Sequence, residues 1–215
     1  MNKAVWIAIV AVALSFAGAF YFYGKMPDRV ASHWNASGEV DGYMPKFWGV
    51  FLMPIVSVAV LLLLVIIPAI DPKKKNIDEF RPYFDWFIAL MMLFLLYIYS
   101  LTIAYNLGHE FDMGKMIMPA LGVLFYYIGI LMGHAKMNWT IGIRTPWTLS
   151  DEKVWDKPHK LGGKLFKAAG IISILSFFMP DYQFIIVIVS IMLAAIVSVV
   201  YSYLEYRNAK ERKIK

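Results

Sequence analysis

The residues best suited to chemistry stand between long apolar runs rather than inside them. His33, Glu39 and Asp41 form one group; His109, Glu110 and Asp112 form a second, and Asp181 follows far downstream. Imidazole and carboxylate together are divalent-metal ligands, which makes His33, His109, Glu110 and Asp112 candidate metal ligands. Their spacing matches no metal pattern, and the run His109-Glu110-Phe111-Asp112 is not an HExxH helix. The competing reading is that His33 braces its own loop while the acids are solvated. Phosphate-cradling G-x-x-x-x-G-K-[ST] and G-x-G-x-x-G runs are absent. With no cysteine, disulfides, thiolate metal sites and cysteine nucleophiles are excluded. No cofactor is expected.

A further group gathers around Arg144, which is flanked by Gly142 and by Thr145-Pro146 in apolar surroundings. An arginine near the membrane interior needs a partner or snorkels to the surface. Asp151, Asp156 or a helix C-terminus would serve, in a structural clamp or in a ligand site. His159 is either a pH-sensitive group or a satisfied histidine at a helix start.

The elements that position these residues are membrane spans. Hydrophobic residues make up 60% of the chain, charged residues 17%, and mean hydropathy is +0.60. A soluble core could not hide that much apolar surface. A hydrocarbon layer about 30 Å thick needs roughly 20 apolar helical residues. Runs of that length predict helices near 4–23, 48–70, 86–107, 116–134, 162–180 and 182–204. The fold class is therefore an all-α polytopic membrane bundle of about six transmembrane helices. No ionisable residue falls in the centre of any run, which weakens a transporter or intramembrane protease reading.

Four of the 21 basic residues, Lys25, Arg29, Lys46 and Lys115, lie in one set of alternating connections, and the rest lie in the other set or at the ends. The positive-inside rule puts both termini in the cytoplasm. The net charge of +6 is thus a topology signal, and no direct nucleic-acid partner is expected. Residues 24–47 read as an ordered outer surface loop rich in turn formers. Inside, Thr148 and Asp151 suggest a short helix from near Ser150, and Asp156 with Pro158 a second start leading into the fifth span. Trp139, Trp147 and Trp155 read as three interfacial anchors. Asp78 and Arg81 stand at pairing distance on a helix. Gly122 and Gly129 are small enough to face a neighbouring helix or a partner chain.

Two stretches together resemble a known family. MPDRVASHWNASGEVDGYMPK is similar to the DUF1648 signature, and NWTIGIRTPWTLSDEKVWDKPHKLGG resembles the core motif of the SdpI family. The resemblance divides the chain into a DUF1648-like segment, 1–70, and an SdpI-like segment, 71–215. It implies motif residues His33, Asn35, Gly38 and Asp41 outside. Inside they are Asn138, Gly142, Arg144, Thr145, Pro146, Trp147, Thr148, Trp155 and His159. The family is typified by an immunity protein that protects its cell from a secreted antimicrobial peptide and draws a cytoplasmic transcriptional repressor to the membrane. The expected function is SdpI-like immunity or signalling in the cell membrane, with a peptide toxin outside, a repressor inside and the lipid bilayer as partners. The alternative is an interfacial metal-dependent enzyme or small-ligand transporter using His33, His109 or Arg144.

Overall fold

The computed structural model describes residues 2–214. Helix α1 spans Lys3–Tyr23, α2 Lys46–Ala69, α3 Lys74–Glu79, α4 Arg81–Asn106, α5 Met113–His134, α6 Glu152–Leu175 and α7 Gln183–Ile214. Single 3-10 turns at Ser176–Phe178 and Pro180–Tyr182 link α6 to α7. Six of the described helices, all but α3, are long and apolar enough to cross a membrane, and the protein is a multi-pass membrane protein. The start of α1, the last turns of α7 and the connections 70–80 and 135–151 lie at one end of the bundle, the motif end. The opposite end carries residues 24–45.

Small residues set the helix packing. Ala4, Ala8, Ala11, Ser15 and Ala19 recur at spacings of three and four and are buried, giving α1 a narrow small-residue face that lies against α4. In lipid such faces let backbones approach without a large apolar driving force. The same logic joins α5 to α6. A Cβ placed on Gly129 would lie 2.6 Å from the carbonyl oxygen of Gly163, and one on Gly122 would lie 2.7 Å from that of Gly170. Both glycines singled out from the sequence therefore face α6. The helices fall into two groups, α1–α2–α4 and α5–α6–α7, joined chiefly by α4 against α5.

The connection 24–45 is not a loop. It contains an antiparallel hairpin, β1 Arg29–Trp34 and β2 Val40–Pro45, pairing Val30 with Met44, Ala31 with Tyr43 and His33 with Gly42. A bulge follows Ala31. The turn is built by Asn35, whose Oδ1 accepts from the backbone N–H of Ser37 and of Glu39, and by Gly38 at φ +82°. Val30 is buried against Gly49 of α2. At the end of α4, Asn106 fastens the hairpin edge: Ala31 N–H donates to its Oδ1 at 2.7 Å, and its Nδ2 donates to the Ala31 carbonyl at 3.0 Å. A side-chain amide thereby acts as the missing neighbour strand for one residue.

Three further expectations are corrected. Helix α6 runs unbroken from Glu152, with Asp151 as its N-cap accepting from Lys153 N–H, and Pro158 lies inside it rather than at a second start. Arg81 pairs with Asp85 at 2.6 Å, not with Asp78, because Asp85 is buried one turn further into α4 and also accepts from Asn2. Of the three tryptophans only Trp139 is exposed as an anchor would be. Trp155 is fully buried with its indole N–H on the Ala135 carbonyl, and the Trp147 indole donates to Ser202 Oγ of α7.

Candidate functional site

At the hairpin end the hairpin, α2, α4, α5 and α7 enclose a cavity of about 680 Å³. Its apolar lining includes Leu52, Ile98 and Ile117 together with four methionines, Met44, Met53, Met113 and Met118. Methionine is unbranched and polarizable, so a methionine-lined wall adapts to apolar groups of different shape. The rim is polar. His33, Asp112, Lys115 and Asp181 line it, and Asp112 caps α5 by accepting from Lys115 N–H.

The sequence candidates of this end divide by role. His33 Nδ1 lies 2.5 Å from Asp41 Oδ1, an exposed pair on the hairpin, with Gly42 opposite because a Cβ there would meet the His33 side chain. Asn35 and Gly38 shape the turn, and a Cβ on Gly38 would lie 3.2 Å from the Asp112 carboxylate. His33, Asn35, Asp112 and Asp181 share the cavity wall, whereas His109 and Glu110 are exposed and stand outside it. Among the described residues no three of these side chains come together in a group that could hold a metal ion. Gln183 and Trp34 also line the cavity; Gln183, which opens α7 directly after the Pro180–Tyr182 turn, carries no motif that marks it in the sequence.

At the motif end the predicted residues converge on each other. Asn138 is buried; its Oδ1 accepts from Thr140 N–H and Ile141 N–H, and its Nδ2 donates to the Lys136 and Ile141 carbonyls. Gly142, at φ +118°, lies directly against the His159 ring, where a Cβ would collide with Nε2. That ring is buried, stacks on Trp155 at 3.9 Å between centroids, and accepts the Ile143 N–H through Nε2 at 2.9 Å. Nδ1 therefore carries the proton and donates to the Trp155 carbonyl at 2.7 Å. Thr148 is buried against Thr145 and the Ile143 carbonyl. Arg144 is exposed and donates to the Trp139 carbonyl at 3.1 Å, a loop carbonyl rather than a helix C-terminus.

Asp71 was legible only as part of a charged run. It is buried, and its Oδ2 accepts from Trp139 N–H and Thr140 Oγ1, tying the α2–α3 connection to the motif. Asn76 adds a bond to the Met137 carbonyl. On the other side, Ser202 and the Lys157–Glu205 pair tie the motif and α6 to α7. The motif is thus a hydrogen-bonded platform seated on three helices, with Trp139, Arg144 and Pro146 on its open side. Beside it, residues 140–143 close one side of an apolar cleft of about 410 Å³ between α2, α4, α5 and α6.

The His159 contact carries a prediction. His159→Phe keeps an aromatic ring on Trp155 but leaves the Ile143 N–H without its acceptor, at a cost of about 1–3 kcal/mol. Amide exchange at Ile143 should accelerate selectively; unchanged protection there would show that Nε2 is not what holds the motif on α6.

Residues 134–202 match the model of the SdpI/YfhL protein family, and residues 10–58 match a domain of unknown function, DUF1648. The chain is 31% identical over 204 residues to the immunity protein SdpI of Bacillus subtilis (strain 168), covering 94% of this chain and 95% of that protein. No solved structure matches. The first match spans the motif platform, α6 and most of α7, the second most of α1, the hairpin and the first half of α2, and by the near full-length identity that joins them the chain belongs to the SdpI/YfhL family.

Proposed function

We propose that the protein is an immunity protein of the cell membrane, oriented with both termini and the motif platform in the cytoplasm and the hairpin outside. A secreted antimicrobial peptide binds at the hairpin-end cavity, and the open side of the platform, Trp139, Arg144 and Pro146, receives a cytoplasmic transcriptional repressor. The segment 1–70 contributes the hairpin and α2 walls of the cavity, and 71–215 contributes the α4, α5 and α7 walls and the platform. The observation that carries this reading is the near full-length similarity to a protein named for immunity. The basic residues of the motif end, including Lys136, Arg144, Lys153 and Lys160, support the orientation. A cavity with adaptable apolar walls and a polar rim suits a peptide with apolar side chains.

The test is survival of a toxin-sensitive bacterium expressing the protein and challenged with the sporulation-delaying peptide. His33→Ala and Arg144→Ala variants, checked for membrane insertion, are run beside it. Protection by the parent chain is expected. The exposed His33–Asp41 pair is worth about 0–1 kcal/mol, so His33→Ala should lower the protective threshold by up to about fivefold. An inserted parent chain that gives no protection removes the immunity reading and leaves the fold standing.

A further inference from the structure

Helix α6 carries five lysines, Lys153, Lys157, Lys160, Lys164 and Lys167, at alternating steps of four and three residues. On an unbroken helix that spacing puts all five on one face. The first four are exposed and Lys167 is half-buried. The same face runs on through Ile171 and Leu175, both exposed. Exposed apolar side chains on a membrane helix meet acyl chains, so the change from lysine to isoleucine marks the level where headgroups give way to hydrocarbon. The neighbouring helix agrees: Tyr126 of α5 is exposed and its backbone lies against Gly170, the level at which an interfacial tyrosine belongs. Lys157 pairs with Glu205 of α7, whereas the other four lysines make no ion pair among the described residues. After Asp156 the helix holds no acid. Glu79 and Asp156 share a small cavity with Lys136 and Lys160 towards the start of the helix, and neither is ion-paired to Lys164 or Lys167. Like charges one turn apart repel and weaken a helix, so a row that the protein leaves unneutralised calls for an anion from outside it.

We infer that Lys160, Lys164 and Lys167 form a binding site for the headgroup of an anionic phospholipid in the leaflet at the motif end. The inference stands apart from the reading of the hairpin-end cavity and uses none of its residues. The three lysines span about 10 Å along the helix axis, and their flexible stems let the ammonium groups converge on one phosphate. The stem of Lys167 lies along Gly129 of α5, so its ammonium has to rise past a turn of helix to reach the headgroups, as a snorkelling lysine does. Lys164 and Lys167 stand at the boundary itself, where a soluble acidic protein would first have to displace lipid. A phospholipid held there instead lays its acyl chains onto Ile171 and Leu175. A zwitterionic headgroup is the poorer fit, because it brings an ammonium of its own that the lysines repel. Basic surfaces between helices at the headgroup level are the usual recognition elements for anionic lipid.

The full chain is reconstituted in nanodiscs of equimolar phosphatidylglycerol and phosphatidylcholine. The lipids that stay bound after release into mild detergent are then counted by native mass spectrometry. The parent should retain phosphatidylglycerol in preference to phosphatidylcholine. Each of Lys160→Gln, Lys164→Gln and Lys167→Gln should weaken phosphatidylglycerol binding about fivefold, and the triple variant should lose the preference. A charge-matched control, Lys74→Gln with Lys75→Gln and Lys210→Gln, should keep it. The unfolding temperature gives a second readout that needs no variant: the parent should unfold higher in phosphatidylglycerol-containing nanodiscs than in phosphatidylcholine alone. Should the triple variant fail to fold, the single variants and this shift decide. Equal retention of the two lipids by the parent, with no thermal shift, overturns the inference and leaves the lysine face to an acidic protein partner. Parent-like preference in the folded triple or single variants also overturns it. Equal loss in the charge-matched control does so too, since net charge rather than this face would then be at work.

Discussion

Gly129→Val is expected to prise α5 from α6 and cost the protein at least about 3 kcal/mol, enough to collapse a marginal membrane bundle. The reason is what lies opposite. A Cβ on Gly129 meets the Gly163 carbonyl oxygen at 2.6 Å and the Lys167 backbone nitrogen at 2.7 Å, and neither is the end of a side chain that can swing away. Only a shift of a whole helix relieves the contact. The paired glycines Gly122 and Gly170 repeat the arrangement two turns along, so a shift at one level strains the other. The thermal midpoint of the purified protein in detergent measures the loss. Gly133→Ala is the control, because a Cβ there meets nothing within 4 Å and alanine favours the helix. A Gly129→Val protein as stable as the control would show that α5 and α6 are not held by backbone approach.

The second large effect is expected at Gly142. Alanine there must adopt φ +118° and press its Cβ into His159. The backbone strain costs of order 1–3 kcal/mol and the overpacking about as much again. Relief would push His159 off the Ile143 N–H, so two anchors of the platform fail together. The change differs from that at Gly129 in being local. Helix packing should survive, while exchange protection at Ile143 and the order of residues 138–148 are lost. In cells Gly142→Ala should therefore insert normally yet lose any function that depends on the platform. A variant that keeps Ile143 protected would refute the fit of Gly142 against the ring.

The spans were readable because about 20 apolar residues in a row admit few other outcomes. The hairpin was not, although its turn formers were visible. RVASHW and VDGYMP alternate only partly, since β1 buries Val30 and Ala31 in succession against α2 and α4, and the bulge after Ala31 shifts the pattern. Asn35 and Gly38 are among those turn formers, and both sit in the hairpin turn. The motif end shows the converse limit. Asn138, Thr148, Trp155 and His159 were all picked out, but their partners are carbonyls and amides of the same stretch, which carry no mark in a sequence. Asp71 and Asp85 escaped notice because an acid beside lysine or arginine near a span end ordinarily reads as solvated. Burial, which only the fold reveals, separates these two from the others. Pro158 misled for a related reason: it is a helix-start residue in water, yet the interior of α6 accommodates it.

The wall of the hairpin-end cavity draws on Ser32 early in the chain and on Phe184 close to its end. The cavity is therefore a late product of synthesis. When the first five spans have been threaded into the bilayer, Leu52, Met53 and Ile98 still lack the α7 side of their enclosure. A ribosome that stalls before the last hydrophobic stretch leaves an anchored, largely helical chain whose cavity is still open on the α7 side. The number of completed cavities then follows complete translation rather than membrane targeting.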